Sequence, residues 1–266
     1  MSLAVVLWMR DLPDAEDAGV RTRSANGRIH DVDRRTAALH WSGGKDSALA
    51  LTVLLAQADV HVERLVTTVH PRRDESTVHG IPVELLEAQA RSIGIPLQTV
   101  PMRGAGLDGY VDVMNAAAVQ MRREGIDAFA FGDLTSSDVR HHKEEQFGPL
   151  GIEVLEPLWG LSSRACVEKF LTSGMRAVTV VVNADVLDVG HVGVPLDRHF
   201  IDHLPEDMDP SGELGEYHTF VFDGPLFRCP IPFRPSGPRL LEREIETTEG
   251  PRCYKYWLAT PQPHQG

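Results

Sequence analysis

The chain has 266 residues, with 26 basic and 38 acidic side chains and a formal net charge of −12. Hydrophobic content of 42% and charged content of 24% are those of an ordinary globular protein, and no apolar run approaches the ~20 residues that a bilayer-spanning helix needs. The acidic total argues against nucleic acid as the main partner, because basic side chains neutralising phosphates supply most of that affinity.

The three cysteines, Cys166, Cys229 and Cys253, form no C-x-x-C pair, so neither a zinc knuckle nor a dithiol redox centre is expected. The apolar stretch Leu3–Met9 lacks the basic leader and the small-residue cleavage site of a signal peptide. The expected location is therefore the cytoplasm.

In chain order, residues 1–35 are polar and turn-rich and read as an arm with one short strand near Val5. A strand is then expected over Thr36–Trp41 and a helix over Ser47–Gln57, where Leu51, Leu54 and Leu55 have helical spacing. The β-branched run Val62–His70 reads as a strand. Pro82–Gly94 reads as a helix with proline at its start and glycine at its end. The pattern continues with a strand over Ile95–Pro101, a helix over Tyr110–Glu124 and a buried strand over Asp127–Asp133. A polar helix over Ser137–Phe147, a strand in Gly151–Trp159, a helix over Arg164–Ser173 and a strand over Arg176–Ala184 complete it.

Such alternation predicts an α/β fold, a Rossmann-like parallel sheet with helices on both faces. Beyond Ala184 the rhythm breaks into a Gly-, Pro-, Asp- and His-rich region with one clean strand, Tyr217–Phe222, which predicts a smaller C-terminal α+β region. The last residues alternate around Glu249–Pro251 and read as a β-hairpin.

The string "SGGKDS", Ser42–Ser47, lies between the first strand and the first helix, where open parallel sheets bind ligands. Gly43 and Gly44 permit a tight turn whose amides, with the helix N-terminus, face an anion. Lys45 adds positive charge, and the Ser42 and Ser47 hydroxyls suit phosphate oxygens. Asp46 would repel phosphate unless a hard cation lies between, which implies Mg2+. The string is neither G-x-x-x-x-G-K-[ST] nor G-x-G-x-x-G.

In this position it resembles the motif of the PP-loop ATP pyrophosphatases, which cleave ATP between the α- and β-phosphates. Three further segments, "HGIPVELLEAQARSIGIPL" (79–97), "FGDLTSSDVRHHKEE" (131–145) and "SGELGEYHTFVFDGPLF" (211–227), are similar to the diphthine–ammonia ligase family and its bacterial relatives. The last resembles the family's G-E-x-G-E-[FY]-H-T signature. The likeness runs over roughly residues 37–230. It departs at Ser211, where cysteine is common, and at His142-Lys143, where Tyr-Arg is common.

The resemblance implies the adenine nucleotide alpha-hydrolase-like variant of the fold. The domains expected are an arm over 1–35, an ATP-binding domain over 36–157, a substrate-binding domain over 158–235 and a terminal hairpin over 236–266. It also implies adenylation of a carboxylate by ATP followed by attack of ammonia. The catalytic candidates are Lys45, Asp46, Glu213, Glu216 and His218, with Asp46 as the metal ligand. Nucleotide contacts are expected from Ser42–Ser47, Thr67, His79, Gly132 and Asp133. Substrate contacts are expected from Arg140, Glu213, Glu216, His218 and Thr219.

Strand alternation puts Glu216 and His218 on one face of their strand, with Tyr217 and Thr219 on the other. No membrane partner is expected, and the chain is compatible with a homo-oligomer. The alternative readings are a PP-loop enzyme that modifies tRNA and a nucleotide-binding regulator without turnover.

Overall fold

A computed structural model describes residues 34–103, 109–134, 136–247 and 250–264. The arm expected over 1–35, with its strand near Val5, lies outside the described residues except for its last two positions. Five parallel strands form the first sheet: β1 (Arg35–His40), β2 (Val60–Val69), β3 (Leu97–Pro101), β4 (Ala128–Ala130) and β5 (Glu153–Leu155). Their order is β3-β2-β1-β4-β5. The chain builds outward from β1 to β3, then returns to place β4 on the other side of β1. The carboxyl ends of β1 and β4 are thus the point where strand order reverses, and the crevice of such a sheet opens there.

Four helices connect these strands: α1 (Lys45–Leu55), α2 (Val83–Ile93), α3 (Tyr110–Arg123) and α4 (Ser137–Phe147). Alternate residues of β1 point to opposite faces. Ala37 and Leu39 join Leu51, Leu54, Leu85 and Leu86 of α1 and α2, whereas Ala38 joins Met114, Ala118 and Met121 of α3 and Phe147 of α4. Helices therefore cover both faces. Helix α2 begins after Pro82 and ends at Gly94, whose φ of 89° is the left-handed conformation that glycine adopts without a Cβ penalty.

The chain continues through α5 (Ser163–Thr172), β6 (Arg176–Asn183), the short α6 (Arg198–Asp202), β7 (Tyr217–Asp223), β8 (Phe233–Pro235), β9 (Arg239–Thr247), β10 (Gly250–Leu258) and β11 (Pro261–Pro263). Strand β6 does not extend the parallel sheet. It is central to an antiparallel sheet of order β7-β6-β10-β9. The hairpin expected at the carboxyl end forms, and its second strand pairs with β6 at Tyr256–Leu258. Strands β8 and β11 make a separate antiparallel pair.

The second sheet shares one apolar core with α1 and α2: Val180, Val182, Tyr217, Phe220 and Val221 pack with Leu49, Leu51 and Leu86. Helix α1 is thus covered from two sides, which explains its apolar run "ALALTVLL". Among the described residues no helix is long and apolar enough to cross a membrane.

Candidate functional site

The Ser42–Ser47 segment leaves β1, turns, and opens α1 with Gly44 as the N-cap. Gly43 has φ of 78°, and a Cβ there would lie 2.6 Å from Leu86 Cδ2. A Cβ on Gly44 would lie 3.0 Å from the Thr219 carbonyl oxygen. Both glycines therefore serve close packing of the protein on itself as well as the turn. The Ser42 and Ser47 hydroxyls lie 3.1 Å apart, and Ser47 Oγ donates to the Gly44 carbonyl at 3.0 Å. Within the described residues the amides of Asp46 and Ser47 donate to no acceptor, so the helix start keeps two free N–H groups for an anion.

Strand β7 clamps this turn. The Lys45 amide donates to Thr219 Oγ1 at 3.0 Å, and the Val221 amide donates to the Gly43 carbonyl at 2.9 Å. Gln89 of α2, fully buried, completes the joint. Its Nε2 donates to the carbonyls of Gly43 (3.1 Å) and Val221 (2.6 Å), while its Oε1 accepts from Trp41 Nε1 at 2.8 Å. The 42–47 and 211–219 segments thus lie against each other, at the carboxyl end of β1 where the crevice of such a sheet opens.

Lys45 is buried. Its ammonium donates to both carboxylate oxygens of Asp46 at 2.8 Å and lies 5.4 Å from the centroid of the Tyr217 ring. Burial disfavours the charge, but Asp46, Tyr217 and Glu213 hold the ammonium above its usual range. Glu213 approaches from the other loop. Burial first, and Asp46 second, push its carboxyl up to about 7. Cys166 of α5 lies behind Asp46, with Sγ 3.9 Å from Oδ1, and burial pushes its thiol up to about 12.

The His79 and His218 rings pack with centroids 4.5 Å apart. His79 Nδ1 lies 3.2 Å from the Ser42 carbonyl. A carbonyl only accepts, so Nδ1 carries the proton and Nε2 is left as an acceptor. Burial lowers His79 to about 3 and puts His218 well below its usual range, so both rings are neutral at pH 7.

Glu216 lies immediately before the start of β7. It is buried near Asp209, whose amide donates to Oε1 at 3.4 Å, while Oε2 has no hydrogen bond. Tyr217 donates to the Pro210 carbonyl at 2.6 Å. Thr67 is buried in β2.

The floor of the cleft is the carboxyl end of β4. A Cβ on Gly132 would lie 3.0 Å from the carbonyl carbon and oxygen of Asp46, so its missing side chain makes room for the Ser42–Ser47 turn. Asp133 pairs with Lys143 of α4, and Lys143 also donates to Glu156 Oε1 at 3.2 Å. Arg140 lies to the side, with Nε 2.8 Å from Glu144 Oε1 and its guanidinium 4.9 Å from the centroid of the Trp159 ring.

Sequence reading overlooked Gln89, Lys143, Glu156 and Cys166. Two of them carry a signal. Lys143 sits midway between Val139 and Phe147, the other buried residues of α4 at four-residue spacing, and Gln89 lies on the buried stripe of α2 with Leu85, Leu86 and Ala90. A polar residue on a buried stripe marks a buried partner.

Among the described residues no group of three or more His, Cys, Asp or Glu side chains is arranged to hold a metal ion. A cation at Asp46 would therefore complete its shell from the ligand's own oxygens.

Two family models match the chain. Residues 34–152 match the diphthamide synthase N-terminal domain, and residues 162–247 match the diphthamide synthase C-terminal domain. The chain is 24% identical over 223 residues to a Mus musculus protein named diphthine–ammonia ligase, covering 74% of this chain and 82% of that one. It is 26% identical over 223 residues to the Bos taurus protein of the same name, with the same coverage of both chains. A Methanocaldococcus jannaschii crystal structure, titled as a predicted subunit of tRNA methyltransferase, aligns with a TM-score of 0.40 at 15% identity over 71% of this chain and 98% of that one.

Proposed function

The chain belongs to the diphthamide synthase family, and from that premise we propose that it is an ATP-dependent, amide-forming ligase of the ATP pyrophosphatase type. In this reading a substrate carboxylate oxygen attacks the α-phosphorus of ATP. The bridging P–O bond breaks, pyrophosphate leaves and an acyl-adenylate forms. Ammonia then attacks the acyl carbon, loses a proton and displaces AMP. The observation that carries the reading is the joint between Lys45 and Thr219, because it brings the phosphate-type turn against the strand that continues from the Glu213 loop.

The roles follow from placement. The free amides of Asp46 and Ser47, with Ser42 Oγ and Ser47 Oγ, suit phosphate oxygens. Lys45, charged although buried, offsets the negative charge that grows on the phosphates in the transition state. Thr67, His79, Gly132 and Asp133 border the nucleotide, and His79 presents Nε2 as a fixed acceptor.

Glu213, pushed up to about 7 by burial and by Asp46, exchanges a proton near neutrality. It is suited to hold ammonium and to accept a proton as the nucleophile is released. His218, Glu216, Thr219 and Arg140 are assigned to the carboxylate substrate's side. The crowding of Asp46 and Glu213 is what a divalent cation relieves, so Asp46 would hold Mg2+, which supplies further neutralisation of phosphate charge when bound.

The test is a product assay with ATP, Mg2+, ammonium and candidate carboxylates, the diphthine acted on by the named relatives first among them. AMP and pyrophosphate should appear in equal amounts and depend on ammonium. Formation of ADP and phosphate instead would refute the reading.

A further inference from the structure

The helix α4 that follows the cleft floor is polar, and one of its three buried residues is a lysine. Lys143 is 4% exposed, and its ammonium sits between two carboxylates, Asp133 and Glu156, and 4.2 Å from the centroid of the Phe131 ring. Taking three charged groups out of water is costly, and an apolar cluster of similar volume is commonly as stable or more so. Fold stability alone therefore gives a weak reason for a lysine here.

The two carboxylates are not equivalent. The Glu156 side chain is 1% exposed and points into the protein, whereas the Asp133 side chain is 13% exposed and adjoins Gly132, on which the Asp46 backbone rests. Asp133 is thus the carboxylate on the side of the Ser42–Ser47 turn.

We propose that Lys143 is a positioning residue for the nucleotide site: it holds the Asp133 carboxylate in place beside the Ser42–Ser47 turn, while Glu156, whose other oxygen lies 3.9 Å from Arg140 Nε, anchors the lysine from behind. The inference rests on the ligase reading for what the cleft binds. The electrostatics agree with it. Burial would favour the neutral acid at Asp133, yet Lys143 holds that carboxyl below its usual range. The same lysine fails to do so for Glu156, where burial prevails and the carboxyl is raised.

The experiment measures ATP binding to the full chain by calorimetry, together with KM for ATP and kcat, in the wild type and in Lys143→Met, Lys143→Arg, Glu156→Gln and Asp133→Asn. Lys143→Met should weaken ATP binding by about tenfold or more and raise KM far more than it lowers kcat. Lys143→Arg, which keeps the charge but must fit a bulkier guanidinium, should lose less ATP affinity than Lys143→Met. Glu156→Gln should also stay within about threefold, because its Oε1 can still accept from the lysine.

A folded Lys143→Met protein with wild-type ATP affinity overturns the proposal. So does a Glu156→Gln loss as large as that of Lys143→Met. If Lys143→Met does not fold, Asp133→Asn decides: native circular dichroism with about tenfold weaker ATP binding supports the proposal, and native circular dichroism with unchanged binding overturns it. Wild-type protein that binds no ATP refutes the ligase reading instead, so the two failures are distinguishable.

Discussion

The backbone amide of Lys45 and the side-chain hydroxyl of Thr219, 174 positions apart, are joined by a 3.0 Å hydrogen bond. One group opens the first helix of the parallel-sheet half, and the other lies on β7 of the antiparallel sheet. Both are buried, so water cannot replace the bond if either partner is lost. Thr219→Val keeps shape and removes the acceptor. An unsatisfied buried amide costs about 1–3 kcal/mol, and urea unfolding should show a loss of that size. Thr219→Ser should restore most of it. Equal stability of the valine variant would mean that the bond does not hold the two halves together.

Gln89 carries a larger share of the same joint. It donates to Gly43 and Val221 and accepts from Trp41, all three contacts within buried structure. Gln89→Leu is close in volume but takes the acceptor from the Trp41 indole N–H, a donor from the Val221 carbonyl, and one of the two donors from the Gly43 carbonyl, which keeps the Val221 amide. The expected destabilisation is about 2–4 kcal/mol, larger than for Thr219→Val, with ATP affinity falling because Gly43 loses one of its two ties. Combining Gln89→Leu with Thr219→Val should be less than additive, because both changes release the same turn from β7.

Local signals explain which parts of this architecture are readable from sequence. Helix α4 runs over Ser137–Phe147 as its pattern predicts, and α2 is bracketed by Pro82 and Gly94. The parallel sheet follows from alternation. Strand β6 reads like one more member of that series, yet it lies in the other sheet. Its partners are β7 and the β10 strand near the carboxyl end, and nothing local to β6 encodes that pairing. The site divides the same way. The glycine–lysine turn and the glutamate–histidine loop are visible as strings, but their meeting depends on Gln89 and Thr219. Gly132 offers a similar lesson: expected from the sequence as a nucleotide contact, it also gives the backbone of Asp46 the space that a Cβ would take.

That contact is itself testable. A Cβ on Gly132 would stand 3.0 Å from the Asp46 carbonyl carbon and oxygen and 3.2 Å from the Ser47 amide nitrogen. These are backbone atoms at the start of a packed helix, so they cannot swing aside as a flexible side chain would. Gly132→Ala should destabilise by about 1–3 kcal/mol, the usual cost of overpacking. It should also weaken ATP binding by displacing Asp46 and its bond to Lys45. A thermal melt and an ATP titration on the same sample check both, and wild-type values in both would show that the turn yields freely.

His40, the last residue of β1, gives a pH dependence with a definite sign. Its ring packs against Phe131 at 5.9 Å between centroids, and its Nε2 is buried without a hydrogen bond. Burial first, and the nearby Lys143 second, lower it to about 4 from the usual 6.5. Near pH 5 the unfolded chain therefore binds a proton at His40 that the folded chain does not. Stability from this group is complete above about pH 6.5 and is lost as pH falls towards 4. His40→Gln removes the titration while keeping a polar side chain. Whatever their difference at pH 7.5, the variant should gain about 3 kcal/mol on the wild type by pH 4, read from urea unfolding at each pH. A stability difference independent of pH would mean that His40 titrates in the folded protein as it does in the unfolded chain.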